Sequence, residues 1–186
     1  MRLFVAVELD EPVKASLRKA QRALAAFDRT VRWVTLDQMH LTLKFLGEVP
    51  DARVEEIKAA TERVAQASSA FEIAVDGCGC FPPKGKVRVV WVGLDEPSGA
   101  LAACNALCEA GFAELGFARE RRAFSAHLTL GRIRDDRTDG KLREAVEAVR
   151  VESCRQRADV LCVIRSTLTP QGARYAVVSR CPLGGA

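Results

Sequence analysis

His40-Leu41-Thr42-Leu43 and His127-Leu128-Thr129-Leu130 are the same tetrapeptide, and the only two histidines of the chain open them. At average residue usage, two unrelated histidines would share their next three residues roughly once in a thousand cases or fewer. In a β-strand side chains alternate between faces, so the His and Thr of each motif project one way and the two leucines the other. Each motif thereby offers an imidazole and a hydroxyl on one surface and anchors itself in a core through Leu. Two such strands side by side would form a pocket with two proton-transfer groups and two hydroxyl donors.

The flanks of the motifs follow a common order. Residues 3–9 alternate as a strand, and Pro12 opens a helix whose apolar positions are Val13, Leu17, Ala20, Leu24 and Phe27. Residues 32–34 are extended, and the first motif strand runs through Leu46 to Gly47. Asp51 caps a helix carrying Val54, Ile57 and Val64. Residues 71–77 and 87–94 read as strands around a loop that holds Cys78-Gly79-Cys80 and Phe81-Pro82-Pro83. A helix spans 98–115, the second motif strand 124–133 and a further helix 139–150. Two β-rich stretches, 153–166 and 173–180, meet at a Pro170-Gln171-Gly172 turn, and 184–186 form a tail. Each motif strand follows a strand–helix stretch and leads into a helix. This weak repeat predicts an α+β fold in a single domain, 1–186, whose two pseudo-symmetric lobes face each other across a cleft.

Bulk properties narrow the function. No apolar run is long enough for a membrane span, and the opening strand lacks the form of an export signal, so a cytoplasmic protein without membrane attachment is expected. The net charge of +4 is modest. Arginine dominates the basic residues and suits bidentate phosphate contacts, with clusters at Lys84, Lys86 and Arg88, at Arg119, Arg121 and Arg122, and at Arg132 and Arg134. Seven cysteines, an odd number, do not suggest a disulfide framework. Cys104 and Cys108 fall on a helical apolar stripe with Leu101, Phe112 and Leu115, where Cys acts as a small hydrophobe. Neither that pair nor Cys78 and Cys80 has zinc-site spacing, and no third histidine exists, so no metal and no cofactor is expected.

Two imidazoles that titrate near neutrality suit an in-line displacement, one taking a proton from water and the other protonating the leaving oxygen. At a phosphate ester the threonine hydroxyls would hydrogen-bond the non-bridging oxygens. A cyclic phosphodiester fits because both ester oxygens are tethered. The residues alone leave open which His is acid and which base. No G-x-S-x-G element, Walker loop or dinucleotide glycine loop supports other chemistry.

At these residues the chain resembles the 2H phosphoesterase superfamily, and within it the RNA 2',3'-cyclic phosphodiesterases, also called 2'-5' RNA ligases. The resemblance covers nearly the whole chain: the opening strand, Val31-Arg32-Trp33-Val34, both motifs with their flanks, the Phe81-Pro82 loop, Val90-Trp91-Val92-Gly93, and Ser166 to Tyr175. It implies a bilobal fold with two antiparallel-rich sheets facing a central cleft and helices outside. It also implies hydrolysis of an RNA 2',3'-cyclic phosphate end to a 2'-phosphomonoester by a monomer, with 2'-5' ligation as a side activity. Carried onto matching positions, His40 is the proton donor, His127 the proton acceptor, and Thr42 and Thr129 hold phosphate oxygens. Arg132 contacts phosphate and Phe45 stacks on the terminal base, although Phe45 equally reads as core. The alternatives are a small-molecule cyclic phosphodiesterase, acting on a cyclic nucleotide or ADP-ribose cyclic phosphate, and a catalytically silent RNA-end-binding module.

Overall fold

The computed structural model describes residues 1–169 and 172–184 and contains two antiparallel sheets. Strand β1 (Arg2–Glu8) buries Leu3, Val5 and Val7 on one face and Phe4 and Ala6 on the other, the mark of a central strand. It pairs with β3 (His40–Glu48) on one side and β8 (Val160–Thr169) on the other, and β9 (Gly172–Pro182) completes the order β3-β1-β8-β9. The second sheet holds β2 (Arg32–Trp33), β4 (Phe71–Phe81), β5 (Val89–Asp95), β6 (His127–Arg132) and β7 (Arg155–Ala158) in the order β2-β6-β5-β4-β7. The chain therefore leaves the first sheet, returns to it for the first motif, builds most of the second sheet, and comes back at β8.

Among the described residues four α-helices cover the sheets. Asp10 caps α1 (Glu11–Ala23) by accepting a hydrogen bond from Val13 N at 2.9 Å, and Pro12 sits in the first turn as expected. Helices α2 (Val54–Gln66) and α3 (Ala100–Glu114) pack on each other and on the first sheet, while α4 (Lys141–Ala148) packs on β4. Leu41, Leu43, Leu128 and Leu130, the four motif leucines, lie with Leu17, Ile57, Phe112 and Leu142 in one buried core that draws on both sheets and all four helices. Among the described residues no helix is long and apolar enough to cross a membrane.

Several boundaries differ from the sequence reading. Cys78-Gly79-Cys80 is strand rather than loop: Gly77, at φ +64°, forms a bulge that lets β4 continue to Phe81. Asp51 opens a single 3-10 turn and caps nothing, and the second motif strand starts at His127 rather than 124. The stretch 153–166 is two strands in different sheets, β7 and β8, parted at Asp159, whose carbonyl accepts from Leu183 N at 2.8 Å. Pro170 and Gln171 of the expected turn, and residues 185 and 186 of the tail, lie outside the described residues. All seven cysteines are free, and Cys104 and Cys108 are fully buried on α3.

Candidate active site

The motif strands come from different sheets yet approach each other to within 8 Å between Cα atoms. In each, the two leucines are buried while His and Thr are half-exposed on the opposite face, the alternation that the tetrapeptide predicts. Each strand is also held from behind in the same way. The Asn105 side-chain amide of α3 donates to the Leu43 carbonyl at 2.9 Å, and the Gln21 amide of α1 donates to the Leu130 carbonyl at 3.0 Å. The sequence reading missed this pair. Its signal was available for Asn105, a polar side chain one position after Cys104 on a buried helix face.

The His40 imidazole stacks on Phe4 of β1 with centroids 4.5 Å apart and is met edge-on by Tyr175 of β9 at 5.1 Å. Burial lowers its pKa to about 4; a hydrogen bond to the Gln38 backbone opposes this, and the positive charge of Arg132 adds to it. The His127 ring meets Phe81 edge-on at 5.1 Å. Its Nδ1–H donates to the Ser125 carbonyl at 2.7 Å, which leaves Nε2 of the neutral ring as the nitrogen with a free lone pair. Both imidazoles are thus anchored to the backbone two residues upstream. In the cross-strand register Trp91 stands between Thr129 and Gly79, and a Cβ on Gly79 would overlap the indole ring. Glycine at 79 is what lets Trp91 lie flat beside the second motif.

Strict alternation would place the fifth residue after each His on the leucine side. Both strands avoid this. A register shift falls between the β3 partners of Val5 and Ala6, and another between the β6 partners of Val90 and Trp91. In β3, Lys44 joins Leu43 in the interior and Phe45 turns out; in β6, Gly131 joins Leu130 and Arg132 turns out. Phe45 is 64% exposed, with its ring 5.9 Å from Phe4, so the reading of it as core is overturned by the bulge. Phe45 and Arg132 hold equivalent positions in the two lobes, on the same face as the histidines. The displaced Lys44 donates from Nζ to Glu109 Oε2 and to the Ala118 carbonyl, each at 2.6 Å. Among the described residues no three His, Cys, Asp or Glu side chains converge as a metal-ligand group.

Residues 7–91, which include the first motif, match the model of the LigT-like phosphoesterase family. The chain is 33% identical over 176 residues to an RNA 2',3'-cyclic phosphodiesterase of Methanothermobacter thermautotrophicus, covering 94% of this chain and 95% of the relative. It is 31% identical to the enzyme of the same name from Thermotoga maritima, covering 100% and 97% of the two chains. Among solved structures it is similar to a Thermus thermophilus protein, with a TM-score of 0.83, 30% identity, and coverage of 100% and 99%. It also superposes on apo LigT of Escherichia coli with a TM-score of 0.76, 25% identity, and coverage of 98% and 96%.

Proposed function

Because the chain belongs to the LigT-like phosphoesterase family, we propose that it hydrolyses the 2',3'-cyclic phosphate at an RNA 3' end to a 2'-phosphomonoester. The observation that carries this reading is the convergence of two His/Thr faces, one from each sheet, on one side of a shared core. Both motifs belong to one chain, which supports action as a monomer.

In the proposed reaction one imidazole removes a proton from water as the water oxygen bonds to phosphorus. The phosphorus–O3' bond breaks, and the second imidazole delivers its proton to O3'. Thr42 and Thr129 donate to the non-bridging oxygens, and Arg132 supplies positive charge toward the anionic substrate. Phe45, exposed at the rim beside Phe4, offers a face for the terminal base. The free Nε2 lone pair of His127 supports this residue as base and His40 as acid. A second assignment, with the roles exchanged, is favoured by the lowered pKa of His40, which leaves its ring neutral at pH 7 in the free protein.

The test is turnover of a short RNA with a 2',3'-cyclic phosphate in excess EDTA, resolving 2'- from 3'-phosphate products. A 2'-phosphate is expected, with losses of roughly two to four decades in His40→Ala and in His127→Ala. Near-normal activity in either variant overturns the two-histidine mechanism. Loss in EDTA that zinc restores overturns the metal-free reading. A substrate with sulfur as the 3' bridging atom needs no acid, so whichever variant recovers activity on it lacks the proton donor. Turnover confined to small cyclic phosphates, or none at all, moves the function to the small-molecule or the silent-binding reading.

A further inference from the structure

The two register shifts fall at equivalent points of the motifs. Leu43 sits between Thr42 and Lys44, which pair with Ala6 and Val5, and among the described residues it has no partner in β1. Leu130 sits likewise between Thr129 and Gly131, which pair with Trp91 and Val90. Each bulged leucine is the residue whose carbonyl a helix carboxamide reaches, Asn105 at Leu43 and Gln21 at Leu130. A bulge takes a peptide group out of the ladder, and a buried carbonyl left there without a donor is destabilising.

The two bulges differ in what they do to the side chains that follow. In β6 regular alternation would drive Arg132 into the core, so the bulge keeps a charge out of it. In β3 regular alternation would send Lys44 to solvent and Phe45 to the core, the less costly placement of both. The β3 bulge does the reverse, burying Lys44 and exposing Phe45. It therefore depends on contacts that hold it. Lys44 finds acceptors in Glu109 and the Ala118 carbonyl, and the bulged Leu43 carbonyl accepts from the amide of buried Asn105. Asn105 and Glu109 lie one turn apart on α3, so a single helix face secures both parts of the bulge. We propose that Asn105 is a positioning residue for the substrate: its amide locks the β3 bulge and thereby keeps Phe45 on the catalytic face, where the ring meets the terminal base. The proposal rests on the phosphodiesterase reading and deepens it, since it names what fixes the base contact.

The test is Asn105→Leu, which removes the donor and keeps the side chain close to its size. On a short RNA with a 2',3'-cyclic phosphate end it should raise KM about fivefold to a hundredfold with kcat nearly kept, the loss expected for one stacked base. A merely destabilised protein would lose kcat with its folded fraction and keep its KM. The double variant Asn105→Leu/Phe45→Ala should lose no more than Phe45→Ala alone, because both changes act on one contact. Losses that multiply, or an unchanged KM, overturn the proposal. A second readout needs no turnover. In Asn105→Leu, Lys44 should become reactive to an acetylating reagent while buried Cys162 stays closed to a thiol reagent, which shows the first sheet folded. A Lys44 that stays protected overturns the lock. If the wild type does not turn over the RNA, the phosphodiesterase reading fails, and the Lys44 readout alone decides the lock. Should Asn105→Leu not fold, Asn105→Ser, which lacks the amide, carries the same measurements.

Discussion

Packed between the Phe4 ring and Tyr175, the His40 imidazole is partly withdrawn from water, and its charged form is disfavoured. A histidine whose folded pKa lies near 4 binds its proton later than the unfolded chain does, near 6.5. Between those values the unfolded state holds more protons, so stability rises with pH across the window and is lost on acidification through it. The full shift corresponds to a loss on the order of 3 kcal/mol between pH 6.5 and pH 4. Urea unfolding at a series of pH values should show that loss in the wild type and not in His40→Gln. Identical slopes in the two proteins would mean that the ring is solvated.

Within β3 a single bulge decides the fate of two residues. It sends Lys44 inward, where Glu109 and the Ala118 carbonyl receive its ammonium, and it sends Phe45 out to the rim. Removing one partner of a buried pair strands the other, so Lys44→Ala should cost about 3–5 kcal/mol in denaturant unfolding. A second change, Glu109→Leu, should recover part of it; no recovery would mean that Lys44 contributes by packing alone. The same bulge marks how far the sequence could be read. Four motif positions follow from period-2 alternation, because each leucine must reach the core and its neighbours cannot. The fifth residue after each histidine does not follow, since a bulge depends on how the partner strand pairs, and that is set by residues far away along the chain. Resemblance to relatives supplied Arg132, whereas alternation would have placed it inside. Gly77 hid the continuation of β4 for the same reason, and Asp159 hid the change of sheet because local composition on both sides of it is equally strand-like.

At the scale of the whole chain, the four motif leucines share a core that neither sheet closes alone. The two lobes should therefore unfold in one transition. Both tryptophans belong to the second sheet and Cys162 to the first, so fluorescence and Cys162 labelling should report the same urea midpoint. Separate midpoints would show lobes that fold on their own. The strand order has a consequence for manufacture. β1 is made first, yet its second neighbour β8 is made only after the entire second sheet. A chain emerging from the ribosome through residue 158 exposes the flank of β1, with Phe4 and Ala6 uncovered by Tyr175, and its first imidazole lacks one wall. Nascent or prematurely ended chains should thus be catalytically silent and adhesive, which gives protein quality control a clear way to tell them from the finished enzyme.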